Sequence, residues 1–294
     1  MNLHPLISAE DLAERIDNVV LIDCRADLLK PELGRQLYEE AHLPRAFFMA
    51  LHEDLAGAKT PGSGRHPLPD REDFARKLGR CGIDRTTPVV AYDASIGVYA
   101  ARFWWLARWL GHPGTQVLDG GLQAWVRAGF PLTRELPESL PDDRASRNAA
   151  TFSPETSLEA TVETGQLLAS LGSSAHLIVD ARAAERWRGE VEPLDPVAGH
   201  IPGALNRPNS GNNRPDGRFK PAEVLREEWL ALIGEASAAS NVVHSCGSGV
   251  SACHNLLAMR IAGLGASALH PGSWSEWCAD PARPVERSSL GTAT

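Results

Sequence analysis

The chain carries one set of landmarks twice. The apolar run VVLID, residues 19–23, ends in Asp23 and is followed by Arg25, and LIVDAR, residues 177–182, repeats the arrangement with Asp180 and Arg182. AHLPRA (41–46) is answered by GHIPGA (199–204), PVVAYDAS (88–95) by NVVHSCGS (241–248), and LDGGLQAW (118–125) by HPGSWSEW (270–277). The offsets are nearly constant: 157 between the aspartates, 158 between His42 and His200, 153 between Asp93 and Cys246, and 152 between Trp125 and Trp277. A solenoid repeats every 20–45 residues or so, so a period this long describes two tandem globular domains. The 294 residues accommodate two cores of roughly 150 residues each.

Within each copy, short apolar runs alternate with longer helical patterns, which predicts an α/β class in which mostly parallel sheets are flanked by helices. VVLID, PVVAYD and TQVLDGG read as strands of the first copy, and AHLIVDA, SNVVHSC and SALH as strands of the second. The stretch 251–265 is helical in pattern and stops at Gly263 and Gly265, while its counterpart GVYAARFWWLARWLGH stops at Gly111. Residues 133 to about 161 are rich in Pro, Ser, Asp, Glu and Arg, so the domains are expected at 1–145, with the linker, and 146–294.

Composition excludes several classes. No apolar run approaches the length needed to span a bilayer, and 37 acidic against 29 basic residues give a formal charge of -8, which opposes nonspecific attraction to nucleic acid or anionic lipid. Five cysteines, an odd number at low density, suggest a reducing, cytoplasmic setting. The segment MNLHPLISAEDLAERI lacks an apolar secretory core and reads as the start of the folded domain. The cluster Phe103, Trp104, Trp105 and Trp109 has the helical spacing of core and not of a base-stacking surface.

The chemistry concentrates at Cys246, which follows the VVHS strand inside CGSGVSA and precedes a helix. Gly247 and Gly249 permit a tight turn whose N–H groups can form an anion cradle at the helix start, stabilising negative charge on sulfur. A nucleophilic cysteine is the functional reading, and a buried structural thiol the plain one. A cysteine phosphatase would place Arg after five intervening residues to grip phosphate; that place holds Ala252. Cys253 and His254 with Cys246 and His244 lack a zinc-site spacing, and Cys253 reads as helix packing.

LIDCR, AHLPRAFF, GRHPLPD, YDAS and LDGGLQAW, then VDARAAERWRGE, GHIPGALN, CGSGVSACH and GSWSEW, cover nearly the whole chain. In order and spacing they resemble the two-domain rhodanese superfamily, and the Cys246 loop looks most like that of the 3-mercaptopyruvate sulfurtransferases. The resemblance implies a persulfide relay: a small anionic sulfur donor gives sulfur to Cys246, which passes it to cyanide, a thiol or a protein acceptor. It implies no cofactor and no metal, and a first domain that has lost its nucleophile, with Asp93 at the matching position. Ser248 and His66 are then expected beside Cys246 as catalytic groups, and Arg186, Gly247, Gly249, Val250 and Ser251 as the donor-binding set. Ser248 could otherwise cap the following helix, and His66 anchor a proline-rich loop. An acidic partner of that histidine corresponds in the family to Leu51, and a second donor-binding Arg to Leu194. Arg188 is expected to be a solvated or interdomain arginine. The neutral CGSGVS loop ranks mercaptopyruvate above thiosulfate as donor; a noncatalytic scaffold is the reading from another class.

Overall fold

The computed structural model describes residues 3–137, 152–234 and 239–288. The chain divides into two compact units: unit 1 comprises residues 1–57, 68–158 and 213–219, and unit 2 comprises 58–67, 159–212 and 220–294. The boundary expected at 145/146 lies outside the described residues.

Unit 1 runs β1 (Leu6–Ile7), α1 (Ala9–Arg15), β2 (Val20–Asp23), α2 (Leu33–Glu40), β3 (Phe47–Phe48), α3 (Arg71–Arg80), β4 (Val89–Tyr92), α4 (Val98–Trp109), β5 (Thr115–Leu118) and α5 (Gly121–Arg127). Unit 2 runs β6 (Ala160–Thr161), α6 (Thr164–Ser170), β7 (Leu177–Asp180), α7 (Ala184–Arg188), β8 (Leu205–Asn206), α8 (Ala222–Ile233), β9 (Val242–Ser245), α9 (Ser251–Ile261), β10 (Ala268–Leu269) and α10 (Ser273–Trp277). The sheet orders are β1-β5-β4-β2-β3 and β6-β10-β9-β7-β8, the same topology twice, and every strand pairing is parallel. Central strands β4 and β9 are buried along their length, as sheets covered on both faces require.

The repeated landmarks are repeated structural devices. Arg25 Nε donates to Asp23 at 2.9 Å and its Nη2 to Ala41 O at 2.7 Å. Arg182 does the same with Asp180 at 3.0 Å and Gly199 O at 2.8 Å. Both ion pairs are buried, so each charge survives only because fork and carboxylate satisfy one another. Trp125 Nε1 donates to Pro131 O and Trp277 Nε1 to Pro284 O, letting both rings fill their cores without stranding a donor. Phe103, Trp104 and Trp105 are buried on α4, as their spacing predicts. No helix among the described residues is long and apolar enough to cross a membrane.

Candidate active site

β9 ends at Ser245 and α9 begins at Ser251, so residues 246–250 form the strand-to-helix turn. Gly249 makes the turn with φ +77°, and a Cβ there would lie 2.4 Å from Pro271 O. Only glycine fits both the left-handed backbone and that approach. Its N–H points back into the turn and donates to Cys246 Sγ at 3.1 Å. Cys246 is buried.

The turn is held by a second loop, residues 270–275. Trp274 N donates to Cys246 O and Ser275 N to Gly247 O, each at 2.9 Å. Ser273 adopts φ +51°, unusual for a residue with a side chain. Its Oγ accepts from Cys246 N at 3.0 Å, donates to His270 O at 2.9 Å and stands 3.9 Å from Cys246 Sγ. The matching residue in unit 1 is Gly121, with φ +56°.

Residues 63–67 lie against the same loop. Arg65 N donates to Ser275 Oγ at 3.0 Å, and a Cβ on Gly64 would come within 2.6 Å of Gly272 O. The next residue, His66, is buried, and its Nδ1 shares a 2.7 Å hydrogen bond with the buried Ser248 Oγ. Ser248 does not cap α9: the residue preceding that helix is Val250, and no side chain caps it. Although His66 comes from the first half of the sequence, residues 58–67 belong to unit 2.

Arg186, midway along α7, donates through Nε and Nη2 to Glu192 at 3.3 and 2.5 Å. Glu192 also accepts from Leu194 N and Asp195 N, turning residues 192–195 back on its carboxylate, and from Arg182 Nη1 at 3.2 Å. Asp195, buried in its side chain, pairs with Arg65 and lies 3.6 Å from Arg186. A Cβ on Gly247 would meet Arg65 Nη2 at 2.8 Å and both Arg186 terminal nitrogens at 3.7 Å. Two guanidinium groups thus face the residue that follows Cys246. Arg188 is paired elsewhere, with Glu190 at 2.7 Å.

The structure therefore gathers Cys246, Gly247, Ser248, Gly249, His66 and Arg186 in unit 2. Val250 contributes backbone, its carbonyl accepting from Cys253 N, and Ser251 opens α9. Sequence reasoning missed Arg65, Ser273 and Asp195. Arg65 could have been suspected from its position beside His66, and Ser273 from the Gly-to-Ser change between LDGG and HPGS. Asp195 had no local signal.

The other cysteines differ in setting. Cys253 Sγ donates to Gly249 O at 3.3 Å, bracing the turn from behind. Burial pushes the thiols of Cys24 and Cys278 up, and that of Cys81 to about 12, which suppresses nucleophilic thiolate. His244 is held neutral by burial, its ionisation pushed down to about 3.

The unit 1 turn shows what such a cradle accepts. Asp93 Oδ1 takes the N–H groups of Ser95 and Gly97 at 2.8 and 3.1 Å and the Ser95 hydroxyl at 3.0 Å. Oδ2 takes those of Tyr99 and Ala100 at 2.8 and 3.2 Å. A carboxylate fills, in the first repeat, the turn that in the second surrounds sulfur.

Comparison with known proteins agrees with this geometry. The rhodanese-like domain model matches residues 8–128 and 163–280. A probable 3-mercaptopyruvate sulfurtransferase of Pseudomonas aeruginosa is 43% identical over 97% of this chain and 99% of its own length. A putative thiosulfate sulfurtransferase, SseB, of Mycobacterium tuberculosis is 38% identical, covering 97% of each chain. The solved 3-mercaptopyruvate sulfurtransferase SseA of Escherichia coli superposes with a TM-score of 0.78 at 30% identity, covering 93% of this chain and 100% of that one.

Proposed function

The chain belongs to the rhodanese family, and from that premise we propose that it is a sulfurtransferase carrying sulfane sulfur on Cys246, with 3-mercaptopyruvate as the preferred donor. The observation that carries this reading is the Gly249 N–H aimed at Cys246 Sγ at the opening of α9, with two guanidinium groups over Gly247.

The Cys246 thiolate attacks the donor sulfur. The S–C bond breaks with its electron pair passing to carbon, which takes up the proton carried by the donor thiol and leaves as pyruvate. The persulfide anion then transfers its outer sulfur to cyanide, a thiol or a protein thiol, regenerating the thiolate. The transferred sulfur rises from the thiol to the sulfane level while the pyruvate carbon keeps the electron pair of the broken S–C bond, so the redox change balances within the donor and the cycle calls for no redox cofactor or metal. The Ser248–His66 pair, joined at 2.7 Å, is suited to relay the proton, and the Gly249 amide to hold charge on sulfur. Arg186 holds the donor carboxylate by one face of its fork while Glu192 fixes the other. Gly247 keeps that space open, and the backbones of Val250 and Ser251 shape the turn.

Mercaptopyruvate offers three points of orientation: carboxylate to arginine, thiol to Cys246 and carbonyl to Ser248. The guanidinium groups are already balanced by Glu192 and Asp195, an environment that suits one added negative charge better than two. The alternative, thiosulfate, is supported by the second guanidinium and by the name of the Mycobacterium relative. Specificity constants for both donors with one acceptor, at matched pH and ionic strength, decide: mercaptopyruvate is expected to be the better, and a higher value for thiosulfate reverses the ranking. No disulfide joins any of the five cysteines, which fits a reducing, cytoplasmic setting.

A further inference from the structure

We propose that Glu276, clasped by Thr164, is a positioning residue for the sulfur-carrying turn: its carboxylate closes over Gly272 and holds the strained Ser273 against Cys246. The proposal rests on the reading of Cys246 as the nucleophile and concerns how its turn is kept in place.

Ser273 Oγ accepts from Cys246 N, Trp274 N donates to Cys246 O and Ser275 N to Gly247 O, so three consecutive residues hold the backbone of the nucleophile. Their placement depends on Ser273 keeping φ +51°, a conformation that a residue with a side chain holds only when its surroundings impose it. Gly272, the residue before it, is confined on two sides. Gly64 packs on its carbonyl, and the Glu276 side chain folds back so closely that a Cβ at position 272 would collide with the carboxylate. Glu276 N donates to Gly272 O at 3.2 Å, and Glu276 Oε1 accepts from the hydroxyl of the buried Thr164, the first residue of α6, at 2.7 Å. The carboxylate thus ties α6 to the loop one residue ahead of the strained one.

Stability does not account for the arrangement. Arg283 donates to the backbone carbonyls of Glu276 and Trp277, and the carboxylate itself has no cationic partner among the described residues. Its charged neighbour is Glu163, whose carboxyl is pushed up first by burial and then by Glu276. A partly buried carboxylate beside another one costs free energy. The first unit does without the pair: Ala9 opens α1 where Thr164 opens α6, and Ala124 precedes Trp125 where Glu276 precedes Trp277. Both alanines are buried in the unit 1 core, and the same sheet topology forms around them. There the counterpart of Ser273 is Gly121, which takes φ +56° with no side chain to strain. The clasp therefore goes with the nucleophile and the strained serine, and not with the fold.

The test compares wild type with Glu276→Ala, Thr164→Ala, the double variant and Glu276→Gln in the full chain; the glutamine keeps an acceptor for the Thr164 hydroxyl. Sulfur loading from 3-mercaptopyruvate is followed by intact mass, and the pH midpoint of Cys246 alkylation by iodoacetamide is measured without donor. Glu276→Ala should slow loading at saturating donor about ten- to hundredfold, as a displacement of about 1 Å at a reacting group does. The half-saturating donor concentration should change by less than about twofold, because Arg186 and Glu192 are untouched. The alkylation midpoint should rise by about one pH unit as the Gly249 amide loses its aim at sulfur. Thr164→Ala should act in the same direction, and the double variant should lose no more than Glu276→Ala, as partners in one clasp do. Glu276→Gln should load within about threefold of wild type. Wild-type loading by Glu276→Ala overturns the proposal, and with a lowered urea midpoint it marks a purely structural role. Glu276→Gln as impaired as Glu276→Ala, or additive losses in the double variant, overturns it too. Should Glu276→Ala not fold, Thr164→Ala against Glu276→Gln makes the same comparison. Failure of the donor reading looks different: wild type would gain no sulfur from mercaptopyruvate, while the alkylation midpoints still decide the role of Glu276.

Discussion

Gly249→Ala separates backbone strain from the chemistry of the turn. Gly249 and Gly203 have almost the same left-handed backbone, φ +77° and +76°, but a Cβ on Gly203 meets nothing within 4 Å, whereas one on Gly249 lies 2.4 Å from Pro271 O. Alanine in that region costs about 1–2 kcal/mol, partly offset by the lower chain entropy of the unfolded variant, so Gly203→Ala should lose about 1 kcal/mol. Gly249→Ala bears the same loss plus the displacement of a backbone carbonyl, about 1–3 kcal/mol by analogy with overpacked cores, for a total of about 2–4 kcal/mol. A protein with ordinary stability survives that and remains folded. The displaced turn also swings the Gly249 N–H off Cys246 Sγ. A hydrogen bond to a charged group contributes about 1.5–3 kcal/mol, so sulfur loading should slow roughly ten- to hundredfold. Thermal and urea midpoints report the first effect, and a mass-detected loading time course the second. Wild-type loading by Gly249→Ala, or equal stability losses in the two variants, would refute the reasoning.

Asp93→Asn places an amide NH2 against backbone N–H groups that now bond a carboxylate oxygen; it should destabilise by about 1–3 kcal/mol in urea unfolding while sulfur per molecule stays unchanged. Ser273→Ala keeps the φ +51° backbone but removes the acceptor of Cys246 N, so it should be less stable than Ser273→Gly, which relieves the backbone; equal melting points would contradict this. Stability should also fall in acid. Burial holds His244 and His270 neutral, pushed down to about 3 and about 4, so below their unfolded value near 6.5 the unfolded chain binds protons that the native chain refuses. Their contribution is complete above about pH 6.5 and is lost as pH falls toward those lower values, at up to about 1.4 kcal/mol per pH unit for each. Equal urea-derived stability at pH 7 and pH 5 would contradict that assignment.

Much of the fold was legible because the repeated phrases encode devices that work locally. Asp23 with Arg25, and Asp180 with Arg182, close their buried ion pairs over two residues, so the pattern survives in the sequence. Strands β2, β4, β7 and β9 are buried and apolar enough to stand out, whereas β3, β6 and β8, of two residues each, are too short to show a period. Cys246 was legible from its strand, its glycines and the helix behind it. Arg65 was not: its partners Asp195 and Ser275 stand 130 and 210 residues away, and only folding residues 58–67 into unit 2 brings them together. The sequence left a helix cap as the alternative role for Ser248, because its hydrogen bond to His66 spans 182 residues.

Cys246 is expected to be the sole sulfur carrier. Intact-mass measurement of the full chain, before and after 3-mercaptopyruvate without acceptor, should show a gain of one sulfur atom, mapped by peptide analysis to Cys246 and removed by cyanide. Cys246→Ser should show no gain and no turnover, and Cys253→Ser should behave as wild type. Sulfur retained by Cys246→Ser, or mapped to any other cysteine, would contradict the account.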